Sequence, residues 1–193
     1  MNKYAQPLSG AYLTEQRQIT DAQPTLLSKG TFMLIAQVSD IHASPGNDHL
    51  RRFDQVLQWL THLRPDVLVL TGDLTDEYWR EGYERIAARL NQQEYPALIL
   101  PGNSDDRALM RSVWGESAWA DDAAAGALHF SHDAGGLRLI GVDSTVEAED
   151  YGSVTDHLGW LDKQLSDAGG LPSLLFMHHH VIASGIPPLD ATM

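Results

Sequence analysis

No cysteine occurs among the 193 residues, which excludes disulfides and thiolate metal sites. Any metal must then be held by His, Asp, Glu or Asn, a donor set that favours Mn, Fe, Zn or Co. Basic residues are scarce: 13 Lys and Arg stand against 26 Asp and Glu, a formal net charge of −13. Such a chain repels nucleic-acid backbones and anionic membranes unless a basic patch or bound cations reverse the field. Arg51-Arg52 is the one adjacent basic pair and is too short for that. Neither a nucleic-acid polymer nor a membrane is an expected partner, and a small phosphorylated ligand would call for metal cations as its source of positive charge. No apolar run approaches the ~20 residues of a membrane span. The N-terminus lacks the apolar core that follows a basic start in secretory signals, so a cytoplasmic location is the expectation.

What is present is a globular composition, 43% hydrophobic and 20% charged, enough for one domain with a real core. Residues 1–32 differ from the rest: they are polar, without clear periodicity, and contain Pro7, Gly10, Pro24 and Gly30. Either Met33 is the natural start and this segment an upstream extension, or the segment is a flexible arm. The domain proper runs over 33–193.

From Met33 strand and helix patterns alternate. A strand over 33–39 ends in Ser39-Asp40-Ile41-His42. A helix over 49–63 carries Leu50, Phe53, Val56, Leu57, Leu60 and Leu63 on one face and stops at Pro65. The apolar strand 66–70 runs into Thr71-Gly72-Asp73. A second helix, with Tyr83, Ile86, Ala87 and Leu90 apolar, spans about 77–92, and a strand over 97–100 leads to Pro101-Gly102-Asn103. A short helix at 106–113, an irregular stretch 114–126 and a hairpin of strands 127–131 and 137–142 follow. Thr155 is placed to cap a helix over 156–168, and the strand 173–177 ends in His178-His179-His180.

A βαβαβ order implies parallel strands with helical crossovers, and ligands of such sheets sit beyond the carboxyl ends of the strands. Four apolar strands end there in Asp40 and His42, in Asp73, in Asn103 and in His178. Singly, each reads as a turn or capping residue; together at equivalent places they read as one site. Two cations ~3.5–4 Å apart need hard oxygen and imidazole ligands and one bridging carboxylate. Asp40 and His42 alternate, which puts them on one side of an extended strand end; Asp73 is the bridging candidate, Asn103 a neutral oxygen donor and His178 an imidazole.

The blocks Asp40-Ile41-His42, Gly72-Asp73-Leu74-Thr75-Asp76, Gly102-Asn103-Ser104-Asp105 and Met177-His178-His179 resemble those of the calcineurin-like metallophosphoesterases. Within that superfamily the chain is most similar to bacterial class III cyclic-nucleotide phosphodiesterases and glycerophosphodiesterases, with Asp106, Gly185 and Asp190 adding to the likeness. The resemblance implies a four-layer α/β/β/α sandwich and two divalent ions (Mn, Fe, Zn or Co). One ion would take Asp40, His42 and Asp73, the other Asp73, Asn103 and His178, and hydroxide held by them would attack phosphorus in line. The implied activity is hydrolysis of small phosphodiesters, cyclic nucleotides or glycerophosphodiesters. A phosphomonoesterase of the same fold and an inactive relative are the rival readings. His179 is the alternative ligand to His178, and His179 and His180 are the candidates for contact with substrate phosphate.

Two departures stand out. Ser104 occupies the place where the family usually has His, and serine cannot protonate a leaving oxygen at neutral pH, which removes general-acid help worth ~10²–10⁴ in rate. The family's closing Gly-His-x-His block has no counterpart, because no histidine follows His180. The expectation is a domain truncated at its C-terminus, with one protein ligand fewer per metal and an apolar sheet face left for self-association into a homo-oligomer. Elsewhere the bland reading is preferred: His129 and His132 on a surface hairpin, His49 and His62 solvated on a helix, His157 in a helix's first turn, the five tryptophans in core or interface, Glu147-Ala148-Glu149-Asp150 as a solvated loop, and Arg107 in a helix-surface ion pair or at a phosphate.

Overall fold

In the computed structural model the described residues are 32–120 and 126–190. Internal contacts separate Met1–Phe32 from Met33–Met193; the status of the first segment, extension or arm, lies outside the described residues. The second unit contains β1 (Ile35–Val38), α1 (His49–Leu63), β2 (Val67–Thr71), α2 (Arg80–Leu90), β3 (Ala97–Leu100), α3 (Arg107–Trp114), β4 (Phe130–Ala134), β5 (Leu137–Gly141), α4 (Leu158–Asp167), β6 (Ser173–Phe176) and α5 (Pro187–Asp190).

Among the described residues two three-stranded sheets form, ordered β1-β2-β3 and β4-β5-β6. The first is wholly parallel; in the second β5 pairs antiparallel with β4 and parallel with β6. Strand alternation sorts the apolar residues into layers. Leu68 and Leu70 join Phe53, Leu57 and Leu60 of α1 and Tyr83, Ile86 and Leu90 of α2 in one core. Val67 and Val69, on the opposite face of β2, pack with Leu100, Phe130 and Leu139 between the sheets. Ile140 and Val142 turn outward onto Trp160 of α4. The result is the expected α/β/β/α sandwich, with every residue of β2 buried at its centre. α1 ends at Arg64, whose left-handed conformation (φ 50°) fits a residue that the following Pro65 keeps out of the helical region.

Several local expectations are corrected. The hairpin begins later, at Phe130 rather than 127, since residues 127–129 lead into the strand without pairing. Thr155 does not cap α4: a 3₁₀ turn over Thr155–His157 precedes it. His129 is not on the surface. It is fully buried, stacked on Trp160 at 4.3 Å and edge-on to His157 at 4.5 Å, because the residues before β4 are drawn under α4. Arg107 does not sit in a helix-surface pair but turns inward. It donates to Thr145 Oγ1 and the Thr145 carbonyl and lies 3.4 Å from Asp143, which is completely buried. Of the tryptophans, Trp119 and Trp160 are buried, while Trp59 is 62% exposed. Leu174 and Leu175 of β6 are also exposed.

Candidate metal centre

The β1–β2 pairing continues past the strands: Asp40 N donates to Gly72 O, His42 N to Asp73 O and Ala43 N to Leu74 O, at 2.9–3.0 Å. The loop carrying Asp40 and His42 and the loop carrying Asp73 are thereby stitched together along their length. Asp40, His42 and Asp73 all take positive φ, 56°, 47° and 53°. The alternation argument for Asp40 and His42 is therefore corrected. They are not on an extended strand end: both take left-handed backbone, and their side chains still come within 3.7 Å of each other. Such conformations are disfavoured for residues other than glycine and persist where surrounding structure imposes them, often at functional sites.

Asp73, 5% exposed, divides its carboxylate between two imidazoles. Oδ2 lies 3.3 Å from His42 Nε2, and Oδ1 lies 3.5 Å from His178 Nε2. His42 Nδ1 donates to Asp76 Oδ1 at 2.7 Å, and His178 Nδ1 donates to the Thr71 carbonyl at 2.8 Å. With Nδ1 committed in both rings, each neutral ring directs its Nε2 lone pair at oxygen acceptors. His42 faces Asp40 at 3.7 Å as well as Asp73, and His178 faces Asn103 Oδ1 at 3.1 Å as well as Asp73. Lone pairs turned toward one another repel unless a proton or a metal cation sits among them, so the donor set fits divalent metal. Asp40, Asp73 and His178 each offer a donor atom within 4.8 Å of the others. Outer partners that fix ring tautomer and direction, here Asp76 and the Thr71 carbonyl, are what metal-binding histidines ordinarily require.

The remaining candidates lie apart from this cluster of facing lone pairs. His179 is buried, shares a 2.8 Å hydrogen bond with Ser144 Oγ and packs on Gly152; burial, and then the neighbouring His178, hold its pKa below the usual value. His180 Nε2 lies 3.5 Å from Asp190 Oδ1, and Asp190 in turn accepts from Ser184 and Gly185 N–H groups. Ser104 contributes its backbone, donating N–H to Asp73 Oδ1 at 2.9 Å, while its hydroxyl donates to the Thr75 carbonyl. His49 is less solvated than expected: its Nδ1 donates to the His42 carbonyl at 2.9 Å.

Sequence reasoning missed the supporting residues. Asp76 and Asp105 fell inside the recognised blocks without an assigned role, and Tyr83 read only as part of an apolar helix face. The Asp105 carboxyl is pushed up to about 6 by burial, with the Gly102 N–H opposing and the charge of Asp73 adding.

Residues 33–191 match the calcineurin-like phosphoesterase family. The chain belongs to that family. It is 32% identical over 168 residues to the glycerophosphodiester phosphodiesterase GpdQ of Enterobacter lignolyticus, an alignment covering 82% of this chain and 60% of the relative. It is likewise 32% identical over 166 residues to a 3′,5′-cyclic-nucleotide phosphodiesterase of a Nostoc strain, covering 81% of this chain and 57% of the relative. The chain thus spans less than two thirds of the length of these curated relatives. A crystal structure of a dimetal phosphatase from Danio rerio shares the fold, with a TM-score of 0.57 at 16% identity over 77% of this chain and 70% of that one. Among the described residues, no helix of this calcineurin-like chain is long and apolar enough to cross a membrane.

His42 carries a pH prediction. Burial opposes its charged form, but the Asp76 hydrogen bond and the fields of Asp73, Asp76 and Asp40 outweigh it, so its pKa lies above 6.5. A folded value above the unfolded one means that His42 stabilises the metal-free fold fully below pH 6.5 and less as the pH rises through the folded value. A metal held by His42 would need the unprotonated ring, so its apparent affinity would run the other way, falling about tenfold per pH unit below that value. Calorimetric titration of Mn²⁺ between about pH 6 and 8 measures this; a flat affinity would remove His42 from the ligand set.

Proposed function

We propose that this chain carries a two-metal centre for the hydrolysis of small phosphodiesters such as cyclic nucleotides or glycerophosphodiesters. The observation that carries this reading is the division of the Asp73 carboxylate, one oxygen toward His42 and the other toward His178, which is how a bridging ligand is disposed. Asp40, His42 and Asp73 would hold one divalent ion, and Asp73, Asn103 and His178 the other. Ions bound there would supply Lewis acidity toward the phosphoryl oxygens and lower the pKa of water. The chain's own groups do the rest. Asp76 and the Thr71 carbonyl keep both imidazoles presenting Nε2. The neutral Asn103 amide limits the negative charge facing an anionic substrate. His179, turned toward Ser144, and His180, beside Asp190, would be the candidates for contact with substrate phosphate. The phosphodiesterase activities for which the Enterobacter and Nostoc relatives are named support a diester rather than a monoester.

The experiment is hydrolysis of bis(p-nitrophenyl) phosphate and of p-nitrophenyl phosphate by the purified chain, stripped with EDTA and then given Mn²⁺, Zn²⁺ or Co²⁺. Metal-restored cleavage favouring the diester is the expected result. Preference for the monoester would replace the substrate class, and folded protein inert with every ion would leave a metal-binding relative without the chemistry.

A further inference from the structure

Asp105 lies beneath the centre and none of the proposed roles uses it. Its Oδ1 accepts from Leu74 N at 3.0 Å, Thr75 N at 3.3 Å and the Tyr83 hydroxyl at 3.0 Å, and its Oδ2 accepts from Gly102 N at 2.9 Å. Leu74 and Thr75 directly follow Asp73, and Gly102 directly precedes Asn103. One carboxylate therefore binds the backbones of two ligand loops that are 30 residues apart in sequence. The tie is reciprocal, since Asp73 accepts from Ser104 N across the same gap. A metal drawing on Asp73 Oδ1 competes with that second bond, which leaves Asp105 as the tie independent of loading.

Tyr83 fixes the direction of the Asp105 carboxylate. It is fully buried on α2, donates to Asp105 Oδ1, accepts from Asp106 N at 2.9 Å and meets the Trp114 ring edge-on at 6.0 Å. The hydroxyl thus spans the turn that carries Asn103 into α3. Packing alone accounts for the ring; it does not account for a hydroxyl placed between a carboxylate and a backbone N–H.

We propose that Tyr83 and Asp105 are a positioning pair that holds the Asp73 and Asn103 loops at the spacing metal binding needs. The inference rests on the metal-centre reading above and assigns neither residue a contact with metal or substrate. Removing the hydroxyl lets the carboxylate swing, changes the spacing between Asp73 and Asn103, and weakens metal binding in protein that is still folded. Losing a partner that orients ligands ordinarily lowers metal affinity about 10–100-fold.

The test is Mn²⁺ binding, by calorimetry and by loss of the free-ion EPR signal, to the intact chain and to Tyr83→Phe, Asp105→Asn and Ile86→Val, each well below its melting temperature. Ile86 is buried on the same helix one turn beyond Tyr83 and carries no polar group, so its variant reports loosened packing there alone. The expected result is a dissociation constant raised about tenfold in Tyr83→Phe and at least as much in Asp105→Asn, with Ile86→Val unchanged. Asp105→Asn keeps the shape while turning one acceptor into a donor, so it reads the same tie if Tyr83→Phe does not fold. Unaltered affinity in both polar variants would overturn the inference and leave the metal centre standing, as would an equal loss in Ile86→Val. No binding by the unaltered chain would overturn the metal-centre reading and this inference with it.

Discussion

Asp73→Asn is expected to reduce metal-dependent cleavage of bis(p-nitrophenyl) phosphate about a thousandfold or more, equivalent to roughly 4 kcal/mol of transition-state stabilisation. Asparagine suits the position because it tolerates the left-handed backbone of Asp73 (φ 53°) and its oxygen can still accept from Ser104 N. What it cannot do is present two anionic oxygens, one toward His42 Nε2 and one toward His178 Nε2. The metal-free fold should tolerate the change, because losing the Asp73 charge relieves repulsion of the buried Asp105 carboxylate. Two measurements separate chemistry from folding. Melting of the metal-free variant should stay close to that of the original chain. The stabilisation by saturating Mn²⁺, about 2.7 kcal/mol at a hundred times the dissociation constant, should vanish in the variant. A variant that keeps this stabilisation and most of its activity would show that Asp73 bridges nothing.

The second large effect is structural. Gly102→Ala is expected to destabilise the fold by about 3 kcal/mol or more, at the upper end for overpacked sites, and to abolish hydrolysis together with it. A Cβ at Gly102 would stand 2.2 Å from Asp73 Oδ1 and 2.5 Å from Asp73 N. Gly72 faces it from the other loop: its own added Cβ would come within 2.5 Å of Gly102 N, and its φ is +95°. Two ligand loops thus pass back to back with no room for a methyl group. The atoms that would have to yield are backbone and a buried carboxylate, both of which are tied by hydrogen bonds. Gly46→Ala is the control, because nothing lies within 4 Å of an added Cβ there; it should stay within about 0.5 kcal/mol. Thermal melting reads the difference, roughly 2–4 °C per kcal/mol for a chain of this length. A Gly102→Ala protein melting like the control would show that the close passage of the loops is not needed.

Much of this molecule is legible in its sequence. Apolar residues at strand and helix spacing located α1 and β3 over their observed spans and β2 to within a residue, and the polar groups after β1, β2 and β3 marked one rim of a sheet, whereas His178 follows β6 of the other sheet, a placement the single-rim reading did not foresee. That works because burial imposes periodicity on each element separately, and because parallel strands with helical crossovers must bring their carboxyl ends to the same side. Around that rim the sequence named Asp40, His42, Asp73 and Asn103, and it added His178 with His179 as its alternative. Folding distinguishes their settings: the His178 ring lies between Thr71, Asn103 and Asp73, while the His179 ring is drawn under Gly152 toward Ser144. Periodicity also misplaced His129 and Arg107, whose partners Trp160 and Asp143 are supplied by segments more than 30 residues away. It was silent on Asp105 and Tyr83, whose roles exist only where two loops meet. The sequence by itself determined the family, the layers and the kinds of atom gathered at the rim. The tertiary structure alone decided the left-handed turns at Asp40, His42 and Asp73, the division of the Asp73 carboxylate and the tie beneath it, because spacing along the chain records which face is buried, whereas a hydrogen bond between distant loops depends on distances set only once both are packed.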